Sequence, residues 1–294
     1  MSWVLFAVLA ALIFAVVNTI DKFILTKWVR NPLINVSILG IVGLIASAVI
    51  FLTQGFASFS LFNIGLAIIS GFLYFLGNAL YFKAVQFEEI SRIVPIFYLS
   101  PFFVLVIASV FLNEVLAPIK YFGIILLIAG AVLISSKSIT KIRLGKPALI
   151  AILSAFVFAV ELVVIKYLLS FADFWTVFSF ERIGAFIAII PMIYFCLPSF
   201  VSTLKEHGKK PFAAIALNES LNLTGVLFII IATSIGFVTL VNALSSIQPL
   251  FVLLITITLS MFFPRILKEE IGKSTILQKF FAIILMLIGA ALIT

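Results

Sequence analysis

Charged residues are scarce in this sequence, and their scarcity indicates its class. Only 10% of the 294 residues are charged, whereas 64% are hydrophobic. A typical soluble domain has about 25% charged and about 45–50% apolar residues, so hydrocarbon must surround much of this chain. Within a bilayer every backbone polar group needs a partner in the protein, which leaves helices or a closed barrel. The apolar runs are continuous rather than alternating, which excludes the barrel.

Cysteine and histidine are almost absent, and this limits the chemistry available to the chain. A single cysteine, Cys196, permits no intrachain disulfide. One cysteine and one histidine, His207, provide no metal-ligand spacing, so we expect no metal and no cofactor. Gly272-Lys273-Ser274 resembles the end of a phosphate loop, but Leu267 stands where that loop needs glycine. The net charge of +8 lies mainly in short loops, which indicates membrane topology rather than nucleic-acid binding.

Ten apolar stretches have about the length of a membrane-spanning helix, which needs roughly 20 residues. We predict spans at 2–21, 33–53, 63–83, 92–112, 119–136, 147–169, 174–197, 211–234, 238–262 and 276–293. No segment between them is long enough for a soluble domain. The sequence therefore predicts an all-α membrane protein with ten transmembrane helices.

The second half of the sequence repeats the pattern of the first half. The matching stretches are Leu9–Val17 with Leu153–Glu161, Tyr98–Val106 with Ser246–Leu254, and Ile124–Ala131 with Ile283–Ala290. A copy with five spans has an odd number of membrane crossings, so the two copies must insert in opposite senses. We therefore expect two inverted five-helix repeats, at 1–138 and 146–294, with a site near the membrane midplane between them.

Lysine and arginine are distributed unevenly between the loops. The loops after spans one, three, five, seven and nine carry 16 of these residues, whereas the other loops carry only Lys120 and Lys166. Basic loops tend to stay in the cytoplasm. The distribution therefore predicts a protein of the cytoplasmic membrane with both termini outside.

The repeated layout resembles the EamA-type members of the drug/metabolite transporter superfamily. The residues that carry the resemblance are Pro95, Pro101, Glu114, Gly130, Pro249 and Gly289. It implies a central cavity lined by the first, third and fourth spans of each copy, with the fifth spans outside. It also implies alternating access for small metabolites, often in the direction of export. Two features depart from the family: the counterpart of the Glu114 turn is displaced into 268–270, and relatives usually keep their termini in the cytoplasm.

Ionisable side chains within the spans are candidates for function because they are costly in hydrocarbon. Glu161 lies in the sixth span, and Glu219 lies in the eighth with Asn222 one turn later. Desolvation favours the neutral form of a carboxylic acid, so these glutamates could exchange a proton against substrate. Arg182 in the seventh span lies at about the depth of Glu161, which makes an ion pair between them a candidate. The alternative to a role in binding protons or substrate is a purely structural ion pair of Arg182 with Glu161 or Glu181.

Polar and aromatic residues recur at helical spacing on three further spans. They are Tyr74, Asn78 and Tyr81 on the third, Ser91, Pro95, Tyr98 and Pro101 on the fourth, and Asn242, Ser245, Ser246 and Pro249 on the ninth. We predict that these faces line the cavity; the alternative is helix packing through small residues. Asn18, Asp21 and Lys22 end the first span, where we expect an interfacial anchor or a gate.

These features predict a secondary active transporter that exports small metabolites by alternating access around a midplane cavity. Its expected partners are a small-molecule substrate, the lipid bilayer and protons as candidate coupling ion, with no nucleic acid, and the chain would act as a monomer or homodimer. One alternative is a proton-coupled multidrug exporter. Another is an integral-membrane enzyme or a channel-like protein. We find neither an acid-rich metal motif nor a nucleophile with a base, so we expect no enzyme.

Overall fold

Helices make up almost all of the chain that can be described. The computed structural model describes residues 2–29, 31, 33–87, 90–135, 145–262 and 273–294, and these ranges contain twelve α-helices and no strand. The helices are α1 Trp3–Lys27, α2 Leu33–Gln54, α3 Leu61–Phe87, α4 Ile90–Phe97, α5 Ser100–Phe111, α6 Pro118–Ser135, α7 Lys146–Leu168, α8 Phe174–His207, α9 Lys210–Ile235, α10 Val238–Ser245, α11 Gln248–Phe262 and α12 Lys273–Ile293. The predicted all-α class is confirmed.

The lengths and surfaces of these helices fit a membrane protein. Seven helical segments of the described ranges are long and apolar enough to cross a bilayer, and three more are shorter apolar helices. Large hydrophobic side chains such as Leu52, Leu61 and Phe111 are exposed on the outside of the bundle. In water such exposure would be unfavourable, whereas in lipid it provides the contact surface.

The predicted spans at 92–112 and 238–262 are each divided into two helices, and residues Val238–Leu259 together still form one candidate membrane span. The breaks lie between α4 and α5 and between α10 and α11. Pro101 and Pro249 occupy the first turn of α5 and α11, where the missing N–H of proline leaves no partner unsatisfied. Backbone bonds of the tighter i to i−3 type close both breaks, from Phe102 N to Leu99 O (3.0 Å) and from Leu250 N to Ile247 O (2.9 Å). These positions are equivalent in the repeat.

Helices of one copy pack mainly against helices of the other, in equivalent pairs. α3 packs on α7, and α1 packs on α9. A Cβ atom on Gly77 of α3 would lie 2.8 Å from the ring of Phe158 on α7, and one on Gly225 of α9 would lie 2.7 Å from the ring of Phe14 on α1. Gly77 matches Gly225 in the repeat, and Phe14 matches Phe158. The same contact between an aromatic ring and a glycine therefore occurs at both pairs of helices.

Equivalent helices of the two copies run antiparallel. Side-chain bonds at both ends of each pair fix the direction: Asn31 to Ser199 (3.1 Å) and Ala57 to Thr176 (2.9 Å) for α2 and α8, and Lys120 to Ile293 (2.9 Å) and Gln278 to Leu133 (2.7 Å) for α6 and α12. An inverted duplication requires this opposite direction. The division at 138 and 146 stays a prediction, and residues 136–144 lie outside the described residues.

Candidate functional site

The site begins with the close approach of α3 and α8. A Cβ on Gly71 of α3 would overlap the backbone of α8 at Glu181 and Ala185, and one on Gly184 of α8 would overlap the backbone of Ile68. Glycine at both positions lets the two backbones touch. Tyr74 lies about one turn after Gly71 and is thereby placed against the polar side chains of α8.

Arg182 is the charged centre of the site. Its side chain is only 1% exposed, and its Nε donates to Glu181 Oε2 at 3.0 Å while Nη2 also contacts Glu181. The guanidinium carbon lies 4.1 Å from the centre of the Tyr74 ring, a cation–π distance. Arg182 Nη1 has no hydrogen-bond partner among the described residues. One donor of a buried cation is thus left for a ligand.

Two further carboxylates flank this centre. Glu161 on α7 is 6% exposed and interacts electrostatically with Glu181 and Arg182. Glu219 on α9 is 5% exposed and accepts a bond of 3.1 Å from Asn222 Nδ2, which also lies 3.5 Å from the hydroxyl of Tyr74. We call Tyr74, Glu161, Glu181, Arg182, Glu219 and Asn222 the central cluster. It contains three carboxylates for one guanidinium and joins α3 of the first copy to α7, α8 and α9 of the second.

A chain of aromatic rings extends from the central cluster. The Phe158 ring lies 5.9 Å from Tyr74 and 5.5 Å from Phe97. Tyr81 and Tyr98 in turn lie 5.4 Å and 6.4 Å from Phe97. These centroid distances are typical of aromatic pairs. The predicted residues Tyr81 and Tyr98 therefore reach the cluster through Phe97 and Phe158, which the sequence did not distinguish among its 33 phenylalanines.

Other predicted site residues bond within their own helices. Asn78 Nδ2 donates to Tyr74 O at 2.9 Å, Ser245 Oγ to Val241 O at 2.8 Å, and Ser246 Oγ to Asn242 O at 3.5 Å. The side chain of Pro95 lies outside the described residues. That these residues line a cavity stays a prediction.

Arg182 has a different ion-pair partner from the candidate Glu161. It pairs with Glu181, its neighbour on the same helix. The guanidinium of Arg182 also contacts the Tyr74 ring. Of the two structural pairs considered from the sequence, the structure contains the one with Glu181.

Asp21 has a role that sequence reasoning missed. Its Oδ1 accepts bonds from Asn218 Nδ2 at 2.9 Å and from Asn35 Nδ2 at 3.3 Å. It therefore joins α1, α2 and α9, and its role as an interfacial anchor or a gate stays a prediction. The side chain of Lys22 lies outside the described residues. The sequence feature that could have indicated this contact is Asn218, a polar residue directly before the candidate Glu219.

Glu114 connects the two copies at the end of the molecule that contains the first residues of α1 and the last residues of α12. Asn113 has a φ of 52°, in the left-handed region that asparagine tolerates, and turns the chain after α5. Glu114 then accepts bonds from Val238 N (2.8 Å), Thr239 N (3.2 Å) and Thr239 Oγ1 (2.8 Å) at the beginning of α10. A carboxylate there accepts hydrogen bonds from free N–H groups and interacts favourably with the positive end of the helix dipole.

A cleft of about 520 Å³ opens beside this contact. Its lining includes Glu114, Lys120, Lys166 and Phe237. Lys166 Nζ donates to Thr233 O at 2.8 Å and Gly236 O at 2.7 Å, so it satisfies carbonyls at the end of α9. In the described residues no group of three or more histidine, cysteine or acidic side chains is arranged to hold a metal.

An all-helical bundle with apolar outer surfaces and buried charges defines a multi-pass membrane protein. A sequence model of the EamA-like transporter family, which is part of the drug/metabolite transporter superfamily, matches residues 1–136, so the first predicted copy is similar to that family. This match agrees with the resemblance found in the sequence and covers the first half of the chain. A solved crystal structure with 17% identity aligns with 99% of this chain and 95% of its own, with a TM-score of 0.75, and shows a shared fold. No curated protein sequence matches the chain.

Proposed function

We propose that this chain is a secondary active transporter that exports a small polar or amphipathic metabolite across the cytoplasmic membrane by alternating access. The central cluster carries the proposal. It buries three carboxylates and one guanidinium between helices of both copies. Charges at membrane depth are costly and usually mark a substrate or ion pathway.

The composition of the cluster favours a substrate with an amino group as well as an acceptor. Three carboxyl groups face one guanidinium, so those held neutral by burial can release a proton when a cationic group of the substrate arrives to balance the charge. Arg182 Nη1 has no hydrogen-bond partner among the described residues, so a donor is available to a ligand, and Glu161 places a buried carboxyl group within electrostatic range of Arg182. The aromatic rings around Phe97 and Phe158 supply the apolar contact that an amphipathic molecule needs.

The broken helices support alternating access. Interrupted helices at equivalent positions of inverted repeats are typical of transporters whose halves rock around a central site. At one end of the molecule, Glu114 holds α10 against the turn between α5 and α6. We infer that opening that end requires this contact to loosen.

A proton-coupled multidrug exporter is the second candidate. The aromatic chain from Tyr74 to Tyr98 favours it, because ring surfaces accept apolar molecules of many shapes. A narrow range of transported compounds would support the metabolite transporter, and a broad range of lipophilic cations would support the multidrug exporter. An enzyme or a channel is less favoured, since the family consists of transporters.

Proteoliposomes under an imposed proton gradient test the proposal. Metabolites and drugs are screened for uptake, and Glu219→Gln and Glu161→Gln are compared with wild type. We expect each substitution to lower the transport rate about tenfold or more, equivalent to about 1.4 kcal/mol. The matched control is Glu206→Gln, whose side chain is 59% exposed and should leave transport unchanged. Normal transport by both Glu161 and Glu219 variants would contradict the proposed role of the central cluster.

A further inference from the structure

A second polar group lies apart from the central cluster, where α1, α2 and α9 meet. The carboxylate of Asp21 receives the amide nitrogens of two asparagines, Asn35 and Asn218, on the same oxygen. Both asparagines are only 1% exposed, whereas Asp21 keeps part of its surface exposed. A small ligand could therefore reach the carboxylate without unfolding a helix.

The two asparagines each leave an acceptor unused. Asn35 Oδ1 and Asn218 Oδ1 are buried and have no hydrogen-bond partner among the described residues. Buried polar atoms are nearly always paired, so two orphaned oxygens beside one carboxylate require an explanation. An amide carries an oxygen and a nitrogen at equivalent positions, and a half-turn exchanges them. After that turn both amide oxygens would face Asp21, and a bound cation would hold the three oxygens together.

We propose that Asp21, Asn35 and Asn218 form a binding site for one Na⁺ ion. Hard cations take oxygen ligands at about 2.3–2.6 Å, so neighbouring ligands at right angles lie roughly 3.4 Å apart. The amide nitrogens that would be exchanged for oxygens lie 2.9 Å and 3.3 Å from Asp21 Oδ1, close to that spacing. The carbonyl oxygen of Val17 lies 3.4 Å from Asn218 Nδ2 and supplies a fourth ligand.

The charge and the ligand type select the ion. One carboxylate balances one positive charge, which favours a monovalent over a divalent cation. Carboxylate and carbonyl oxygens suit hard ions, whereas zinc and copper prefer sulfur or imidazole. Glu219 is close enough to interact electrostatically with Asp21, and a cation at Asp21 reduces the repulsion between these acids.

The position of the site links it to the central cluster. Asn218 is adjacent to Glu219 on α9, so an ion at Asn218 and a substrate at Glu219 would be held by the same helix. In the second copy the position equivalent to Asp21 is Ile165, a buried apolar residue, so the duplication contains this carboxylate once. Ion binding itself is independent of the proposed transport; only its role as a coupling ion rests on that function.

Equilibrium binding of ²²Na⁺ to the purified full chain in detergent, at constant ionic strength, tests the site. We expect saturable binding that unlabelled Na⁺ displaces and that choline and K⁺ displace poorly. Asp21→Asn should weaken this binding at least about tenfold. The matched control is Asp173→Asn, the only other aspartate in the chain. Asp173 caps α8, and asparagine serves equally well as an N-cap, so this variant should bind like wild type.

A second variant tests the assignment by a gain rather than a loss. Asn218→Asp adds a carboxylate to the same oxygen set and should shift the preference toward Ca²⁺ by about tenfold or more. Equal displacement by choline, or unchanged binding in the Asp21→Asn variant, would overturn the proposal. So would wild-type protein that binds no ²²Na⁺ while remaining monodisperse. Because none of these measurements involves transport, their failure is distinguishable from failure of the transport function.

Discussion

The contact of Glu114 with α10 offers the most direct measure of how strongly the two copies are joined. Replacing Glu114 with alanine removes an acceptor used by two backbone N–H groups and one hydroxyl, all of them buried. Thr239 can turn its hydroxyl to another acceptor, but the N–H groups of Val238 and Thr239 cannot move. Each buried donor left without a partner costs about 1–3 kcal/mol. The expected loss is therefore about 2–6 kcal/mol.

The adjoining cleft places the loss in the lower part of that range. Water in the cleft can reach the beginning of α10 and replace part of the lost bonding. We expect about 3 kcal/mol, which for a chain of this size lowers the midpoint of thermal unfolding by about 6–12 °C. Glu114→Gln keeps one carbonyl acceptor and should lose about half as much.

Thermal unfolding of the purified protein in detergent measures the effect. Glu206→Ala is the control, because it removes the same charge from an exposed position. A double-mutant cycle with Thr239→Val isolates the pair and should give a coupling of about 0.5–3 kcal/mol. If Glu114→Ala unfolds within about 1 °C of the Glu206→Ala variant, the carboxylate does not hold the two copies together and the reasoning is wrong.

Two further predictions concern helix packing and orientation. Gly71→Ala should destabilise the protein by about 1–3 kcal/mol because its Cβ would enter the backbone of α8, whereas Gly65→Ala on the same helix meets nothing within 4 Å and should stabilise by up to about 1 kcal/mol; equal unfolding midpoints for the two variants would contradict the packing. For orientation, Cys196 is fully buried, so a membrane-impermeant maleimide should label Ser2→Cys and Thr294→Cys in intact cells but Ser202→Cys only after permeabilisation. The reverse labelling pattern would show that the basic loops do not face the cytoplasm.

Local features of the sequence predicted the helices well. Continuous apolar runs specify helices in lipid because a helix satisfies its own backbone, and no distant contact is needed. The prolines were also informative, since Pro101 and Pro249 occur at equivalent positions and each begins a new helix. What the sequence did not reveal was that the chain breaks there rather than bends. A break depends on whether neighbouring helices can accept a shorter, tighter turn.

The candidate site was predicted in part. Tyr74, Glu161, Glu219 and Asn222 were chosen because polar groups at membrane depth are costly, and the structure places all four in the central cluster. The partner of Arg182 was open between Glu161 and Glu181, because the choice depends on a rotamer and on the ring of Tyr74. Asn242, Ser245 and Ser246 share the helical spacing of cavity residues, yet the hydroxyls of Ser245 and Ser246 bond to backbone carbonyls of α10. The buried Oδ1 of Asn242 has no hydrogen-bond partner among the described residues.

The sequence alone determined that this chain is an all-α membrane protein and predicted two similar halves, because hydrophobicity and repetition are properties of the residues in order. Tertiary structure decided which residues meet across the bundle. Asp21 receives Asn218 from 197 positions away, and Glu114 caps a helix that begins 124 positions later. Such contacts form where helices of the two copies meet. Each is stabilised because both of its polar partners are buried away from solvent.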